Sequence, residues 1–209
     1  MSWRKPSVHR MRSSVPSTWD TDKVQPHGYF QAYMRIAAEL GPSARVCELG
    51  VENGEYLRMW RGLFPLGDVW GVDYSLTATW PEGTVGVICN QDDPALPGLL
   101  EGQFGLIVDD ASHDGNKTTT SVNLLWPLVQ PGGYYVIEDW AVALRDDPHW
   151  GKQANWGDSM LRCAEAFLPL LSHRDGEVES ILYRYGLIIL HKNPAAAAVP
   201  DVEEDAVER

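Results

Sequence analysis

Two stretches of this chain set acids and a histidine at a spacing that can do chemistry: IVDDASHDG (107–115) and YYVIEDW (134–140). Each is an apolar run that ends in a pair of carboxylates. If the two runs are neighbouring parallel strands, Asp110, Glu138 and Asp139 meet at one rim. Carboxylates gathered in a cleft repel one another unless a proton or a cation joins them. Hard oxygen donors of this kind suit Mg²⁺, with water and a bound oxygen completing the shell. His113 follows Asp110 by three residues and can face the same rim. Imidazoles as a class change charge near neutral pH, so a histidine there can take a proton from a hydroxyl. A cation on that hydroxyl would make the proton easier to remove. Solvated loop acids and a capping histidine are the plainer alternatives.

The elements that must position these residues can be read from the apolar runs. RVCELG (45–50) reads as a first strand, followed by a helix through YLRMWRGLF. DVWGVDYS (68–75), TVGVICN (84–90) and FGLIVDDAS (104–112) read as the second, third and fourth strands. A helix is expected from about 117 to 128, and the pair Gly132-Gly133 leads into the fifth strand, YYVIED (134–139). A last helix near 159–171 precedes VESILYRYGLIILHK (178–192), which reads as two closing strands with Tyr185-Gly186 near the turn. Strands alternating with helices imply an α/β domain with a mostly parallel, seven-stranded sheet covered by helices on both faces. In such open sheets a ligand sits beyond the C-terminal strand ends. The acids and amides that stand out all lie there: Glu48, Asp73, Gln91, Asp92, Asp109, Asp110, Glu138 and Asp139.

ELGVENG (48–54) offers a second site at the first of these ends. Glu48 closes the strand, and Gly50, Asn53 and Gly54 lie around the turn into the helix. Glycines let backbone approach a ligand, and the helix start supplies N–H groups. The spacing is not the G-x-G-x-x-G of dinucleotide folds, so no pyrophosphate cradle is implied. An ordinary strand-to-helix turn would read the same way. Asp73, next to Tyr74 at the second strand end, can accept from both hydroxyls of a ribose, or act as a cap. Gln91 and Asp92 in NQDD could meet an adenine, or be plain loop residues.

Composition narrows the classes. The 209 residues fit one domain with tails, and 44% hydrophobic with 22% charged residues is ordinary for a globular protein. A net charge of -12 argues against nucleic acid as the main partner. No apolar run reaches the roughly 20 residues that span a bilayer. The basic start, MSWRKPSVHRMRSS, has no apolar segment behind it, so no signal peptide is expected. Cys47, Cys89 and Cys163 are far apart in apolar surroundings and read as buried thiols in a reducing, cytoplasmic compartment. The expected layout is a flexible basic arm over 1–19, the domain over 20–193 and a disordered acidic tail over 194–209.

VDDASHDG followed by LLWPLVQPGGYYVIEDW resembles the Mg²⁺-dependent sugar O-methyltransferases of macrolide and rhamnoside tailoring, of the mycinamicin and macrocin type. Ala111 stands where that pattern has glycine. TDKVQPHGYFQAY (21–33) is similar to the family's N-terminal T-D-K…H-x-Y…Y segment. The resemblance covers about residues 20–192. It implies the class I S-adenosylmethionine (SAM) methyltransferase fold, whose sheet ends in an antiparallel pair. It implies Mg²⁺ on Asp110, Glu138 and Asp139, with His113 as general base and Asp109 nearer the SAM side. Glu48, Gly50, Asn53, Gly54, Asp73, Tyr74, Gln91 and Asp92 would hold SAM. Thr21 would fold over SAM, and His27 and Tyr29 over the acceptor.

The acceptor is hinted at by tryptophans. Trp140, Trp150 and Trp156 cluster after the fifth strand, where aromatic faces can stack on sugar rings or simply pack. A small hydroxylated acceptor of carbohydrate type and a homodimer are expected. Two other readings stay open: a catechol-type O-methyltransferase, and a SAM-binding protein without catalysis. A non-haem iron oxygenase would need two histidines and one carboxylate at one site, against the single suitable histidine here.

Overall fold

The computed structural model describes residues 23, 28–144, 157–172 and 176–196. The chain enters through α1 (Phe30–Leu40), then β1 (Val46–Leu49), α2 (Glu55–Leu63), β2 (Val69–Asp73), β3 (Thr84–Ile88) and the short α3 (Leu96–Leu99). It continues through β4 (Phe104–Asp109), α4 (Gly115–Leu125), β5 (Val129–Glu138), α5 (Gly157–Ala166), β6 (Val178–Arg184) and β7 (Leu187–Lys192). The seven strands form one sheet in the order β3-β2-β1-β4-β5-β7-β6. The first five pair in parallel, and β7 runs antiparallel to both β5 and β6.

Period two along each strand sorts side chains to two cores. On one face Cys47, Leu49, Ile107, Tyr135 and Ile137 pack against Leu96 of α3, Val122 and Leu125 of α4, and Met160 and Cys163 of α5. On the other Val46, Leu106, Val108 and Val136 pack against Phe30, Tyr33 and Ile36 of α1 and Leu57, Met59 and Trp60 of α2. Both faces are therefore covered, and β1, β2 and β4 are buried at every position. Each fully buried large apolar side chain contributes roughly 1.5–3 kcal/mol. Trp60 is one of these; its ring meets Tyr33 edge-on at 4.8 Å and so ties α2 to α1.

The expected elements form; α3 is an addition, α5 ends at Ala166 rather than near 171, and three further differences have a local cause. β5 starts at Val129, and Gly132-Gly133 lies inside it, where pairing to β4 jumps from Phe104↔Val129 to Leu106↔Tyr134. The extra residues bulge out of the ladder there. The fourth-strand helix starts at Gly115, because Asp114 caps it by accepting from Asn116 N at 2.9 Å. Pro127 then turns its end into a short 3₁₀ segment, Trp126–Leu128. The expectation began the fold at the first strand and missed α1, although Phe30, Tyr33, Ile36 and Leu40 follow helical spacing. No helix among the described residues is long and apolar enough to cross a membrane. The expected arm, residues 1–19, lies outside the described residues, as do residues 197–209 of the expected tail.

Candidate active site

The strand order reverses at β1, and the helices that follow β1 and β4 cover opposite faces of the sheet, so a crevice opens beyond the strand ends. A cleft of about 540 Å³ lies there, lined by Gly50, Glu52, Asp73, Tyr74, Gln91, Asp110, Ser112, His113, Lys117 and Asp139 among others. Two hydrogen bonds pin its floor: Gly50 N to Val72 O at 2.9 Å, and Asp110 N to Leu49 O at 3.0 Å. Gly50 has φ +90, and a Cβ there would overlap the Asp110 carbonyl. Only glycine lets the β1 and β4 loops close on each other this tightly.

On the β2 side, Asp73 is held by its neighbours. Its Oδ2 accepts from Val51 N at 2.8 Å and Glu52 N at 3.0 Å, and its Oδ1 from Ser75 N at 2.7 Å. The carboxylate is thus fixed at the mouth, beside the exposed ring of Tyr74. Gln91 both lines the cleft and braces it. Its Oε1 accepts from Ser112 N at 3.1 Å, and its Nε2 donates to Asp109 Oδ1 at 3.1 Å.

On the β4 and β5 side, the two acid pairs split across the sheet, as period two requires. Asp109 turns to the α4 face and is buried with the hydroxyls of Ser121 and Tyr135. Burial raises its carboxyl to about 6, with both hydroxyls pulling the other way. It does not line the cleft. Asp110 and Asp139 do, and with His113 they form a group whose ligand atoms all lie within 4.8 Å of one another. His113 Nε2 is 4.0 Å from Asp139 Oδ2. Glu138 turns to the α1 face, only 2% exposed, and stands outside that group.

Three non-glycine residues among those described have left-handed backbone: Glu52 (φ 46), His113 (φ 53) and Asp139 (φ 53). All three line the cleft. Backbone of this kind costs free energy and collects where function needs a side chain aimed one way.

Lys23 belongs to the N-terminal segment TDKVQPHGYFQAY, and the sequence assigns it no role. Its ammonium is fully buried, 2.7 Å from Asp110 Oδ2, 2.7 Å from Glu138 Oε1 and 3.1 Å from Glu48 Oε1. Burial works against its charge, but the carboxylates of Asp110, Glu138 and Glu48 outweigh that and hold it charged well beyond the usual lysine range. The ring of Tyr56, which lines the cleft, lies 4.0 Å from the ammonium. Tyr33 donates its hydroxyl to Glu138 Oε1, and Tyr29 donates to Asp139 Oδ1 at 2.6 Å. Burial pushes the Glu138 carboxyl well up, Asp110 adds to the shift, and Lys23 opposes it. The T-D-K…H-x-Y…Y pattern contains Lys23, Tyr29 and Tyr33, but nothing in the sequence points to their partners about a hundred positions away.

The other expected residues fall as follows. Glu48 faces α2, accepts from Trp60 Nε1 at 2.7 Å and does not line the cleft. Its burial raises the carboxyl to about 7, with Lys23 opposing. Asn53 accepts from Glu55 N at 3.1 Å, and Asn53, Gly54 and Asp92 are not in the cleft wall. Tyr29 is buried behind Asp139 and under the β6–β7 turn, where a Cβ on Gly186 would overlap its hydroxyl. Trp140 donates to Arg184 O at 3.0 Å and meets Tyr183 edge-on at 5.9 Å. Thr21, His27, Trp150 and Trp156 lie outside the described residues.

Comparison with solved structures fixes the class of the fold. Over 83% of this chain and 52% of the other, it superposes on the MycE methyltransferase from the mycinamycin biosynthetic pathway, solved in complex with Mg, SAH and mycinamycin VI, with a TM-score of 0.67 and 23% identity. The fold is that of the class I methyltransferases. No family model matches the chain. Its sequence relatives are named as O-methyltransferases. It is 38% identical over 106 residues to the 8-demethyl-8-(2-methoxy-alpha-L-rhamnosyl)-tetracenomycin-C 3'-O-methyltransferase of Streptomyces olivaceus, covering 46% of this chain and 27% of the relative. It is 35% identical over 122 residues to the mycinamicin VI 2''-O-methyltransferase of Micromonospora griseorubida, covering 53% of this chain and 30% of the relative. The matched part is under a third of each relative's length.

Proposed function

We propose that this methyltransferase-fold chain moves a methyl group from SAM to a hydroxyl of a sugar or glycoside with the help of a divalent cation, Mg²⁺ by its donor set. The observation that carries the reading is the convergence of Asp110, His113 and Asp139 within 4.8 Å in the wall of the cleft that Asp73 also lines. Two carboxylates and oxygen-rich surroundings fit a hard cation. Asp110 and Asp139 would hold it; Glu138, also expected as a ligand, lies outside that group on the α1 face, where Lys23 and Tyr33 both engage its Oε1. When bound, the cation would supply Lewis acidity to neighbouring acceptor oxygens.

The chain's own residues do the rest. Asp73 and Tyr74, with Gly50 and Gln91, hold the donor at the β1–β2 side of the cleft. SAM carries a sulfonium, and Glu52, Asp73, Asp110 and Asp139 give the cleft a negative wall that suits it. His113 faces the acceptor. As the acceptor oxygen takes the methyl carbon and the carbon–sulfur bond breaks, the hydroxyl proton passes to His113. The neutral sulfide leaves with the electron pair. Holding donor and acceptor in line supplies much of the acceleration.

One relative is named for methyl transfer to a rhamnosyl tetracenomycin and another for transfer to mycinamicin VI, which supports a sugar over a phenol here. A cytoplasmic homodimer without nucleic acid is part of the proposal. The net charge of -12 and the free thiols Cys47, Cys89 and Cys163 support it in part. A labelled-methyl assay with SAM over monosaccharides, glycosides, glycosylated macrolides and catechols tests the reading. Transfer to a sugar-bearing acceptor, abolished by EDTA and restored by Mg²⁺, is expected. Transfer that survives exhaustive chelation removes the cation, and transfer to catechols alone removes the sugar.

A further inference from the structure

The three acids at the β4 and β5 tips are each held by one short run of chain. Lys23 reaches Asp110 and Glu138, Tyr33 reaches Glu138, and Tyr29 reaches Asp139. Phe30 N donates to Lys23 O at 2.9 Å, so Lys23 is tied to the start of α1, where Tyr29 and Tyr33 lie. The Lys23 ammonium is not one of the groups facing the cleft. It is fully buried and does not line the cavity, and Tyr56 lies against it. It therefore supports Asp110 from behind rather than standing in a ligand's place.

We propose that Lys23 and Tyr29 are positioning residues for the cation site, one setting the Asp110 carboxylate and the other the Asp139 carboxylate. This deepens the reading above and rests on it. The physical reason is that a carboxylate with one oxygen held by a fixed donor can turn only about that contact. Its second oxygen then points in a narrow range. Lys23 engages Asp110 through Oδ2, and Tyr29 engages Asp139 through Oδ1, while the Asp139 oxygen nearest His113 is Oδ2. Partners of this kind behind metal ligands change affinity by about 10–100-fold. The same contacts join the N-terminal segment to the β4 and β5 tips, so the segment's seating and the site's geometry are one event.

The test uses the full chain and Mn²⁺ as a paramagnetic probe, titrated by electron paramagnetic resonance, with SAM binding followed separately by calorimetry. Lys23→Met should weaken Mn²⁺ by about 10–100-fold and leave SAM affinity within about threefold. Tyr29→Phe, which removes one hydroxyl and keeps the ring, should weaken Mn²⁺ by about tenfold with SAM again unchanged. Mn²⁺ binding as tight as wild type, or tighter, in both variants overturns the proposal. If Lys23→Met does not fold, Tyr29→Phe decides alone. A wild-type chain that binds SAM but no Mn²⁺ overturns the cation reading itself. Wild type binding Mn²⁺ with unaltered variants overturns only the positioning role.

Discussion

The two sides of the cleft are built in different ways. On the β2 side, Asp73 is held by backbone N–H groups of residues 22, 21 and 2 positions away. On the β4 and β5 side, the acids are held by side chains 87, 115, 105 and 110 positions away. The first side is local: a strand end, a glycine turn and a helix start suffice. The second is assembled only when α1 docks on the sheet. The difference teaches that the Asp73 anchorage of the donor end needs only the β1–α2–β2 unit, with Gln91 added from the turn after β3, whereas the chemical end depends on the N-terminal segment being seated.

The sharpest way to test this division is to remove the base and watch what survives. His113→Ala should lower kcat by about 10²–10⁴-fold while SAM affinity, a property of the other side, stays near wild type. Full turnover in that variant would take the proton transfer away from His113. The reverse experiment is Asp73→Asn. One charge-assisted acceptor is lost among three backbone donors, and interactions of that kind are worth about 1.5–3 kcal/mol. SAM should bind about 10–100-fold more weakly, while Mn²⁺ affinity holds. Loss of both affinities together would mean that the two sides are not separable. The smallest effect is expected at the seam. Gly50→Ala forces a side chain at φ +90 against the Asp110 carbonyl. Strain of about 1–3 kcal/mol should lower Tm by roughly 2–12 °C, and both affinities should fall together, since Gly50 touches both loops. An unchanged melting curve would mean that the loops can part at no cost.

Much of the fold was legible in the sequence because parallel strands buried on both faces read as short apolar runs. VCEL, VWGVD and FGLIVD are buried at every position, so each stands out between polar turns. The site was legible in part for the same reason, since a polar residue that ends such a run must lie at the sheet's rim. Asp73, Asp110, His113 and Asp139 were found that way, and all four line the cleft. Glu48, Asp109 and Glu138 end strands too, yet period two turns them into the helix layers. The alternation was readable, but which face carries the open cleft was not.

The sequence by itself determined the alternation of strand and helix, the rim on which the acids fall and the glycine that lets two loops meet. Those follow from local rules: apolar periodicity, strand-end position and backbone freedom. Only the tertiary structure decided which acids face the cleft, which are buried in the helix layers, and that a lysine joins Asp110 of the first set to Glu48 and Glu138 of the second. Lys23 lies in a polar segment with nothing local to mark it. Its charge survives full burial because three carboxylates from β1, β4 and β5 converge on it, and such convergence exists only after the sheet has formed and α1 has docked.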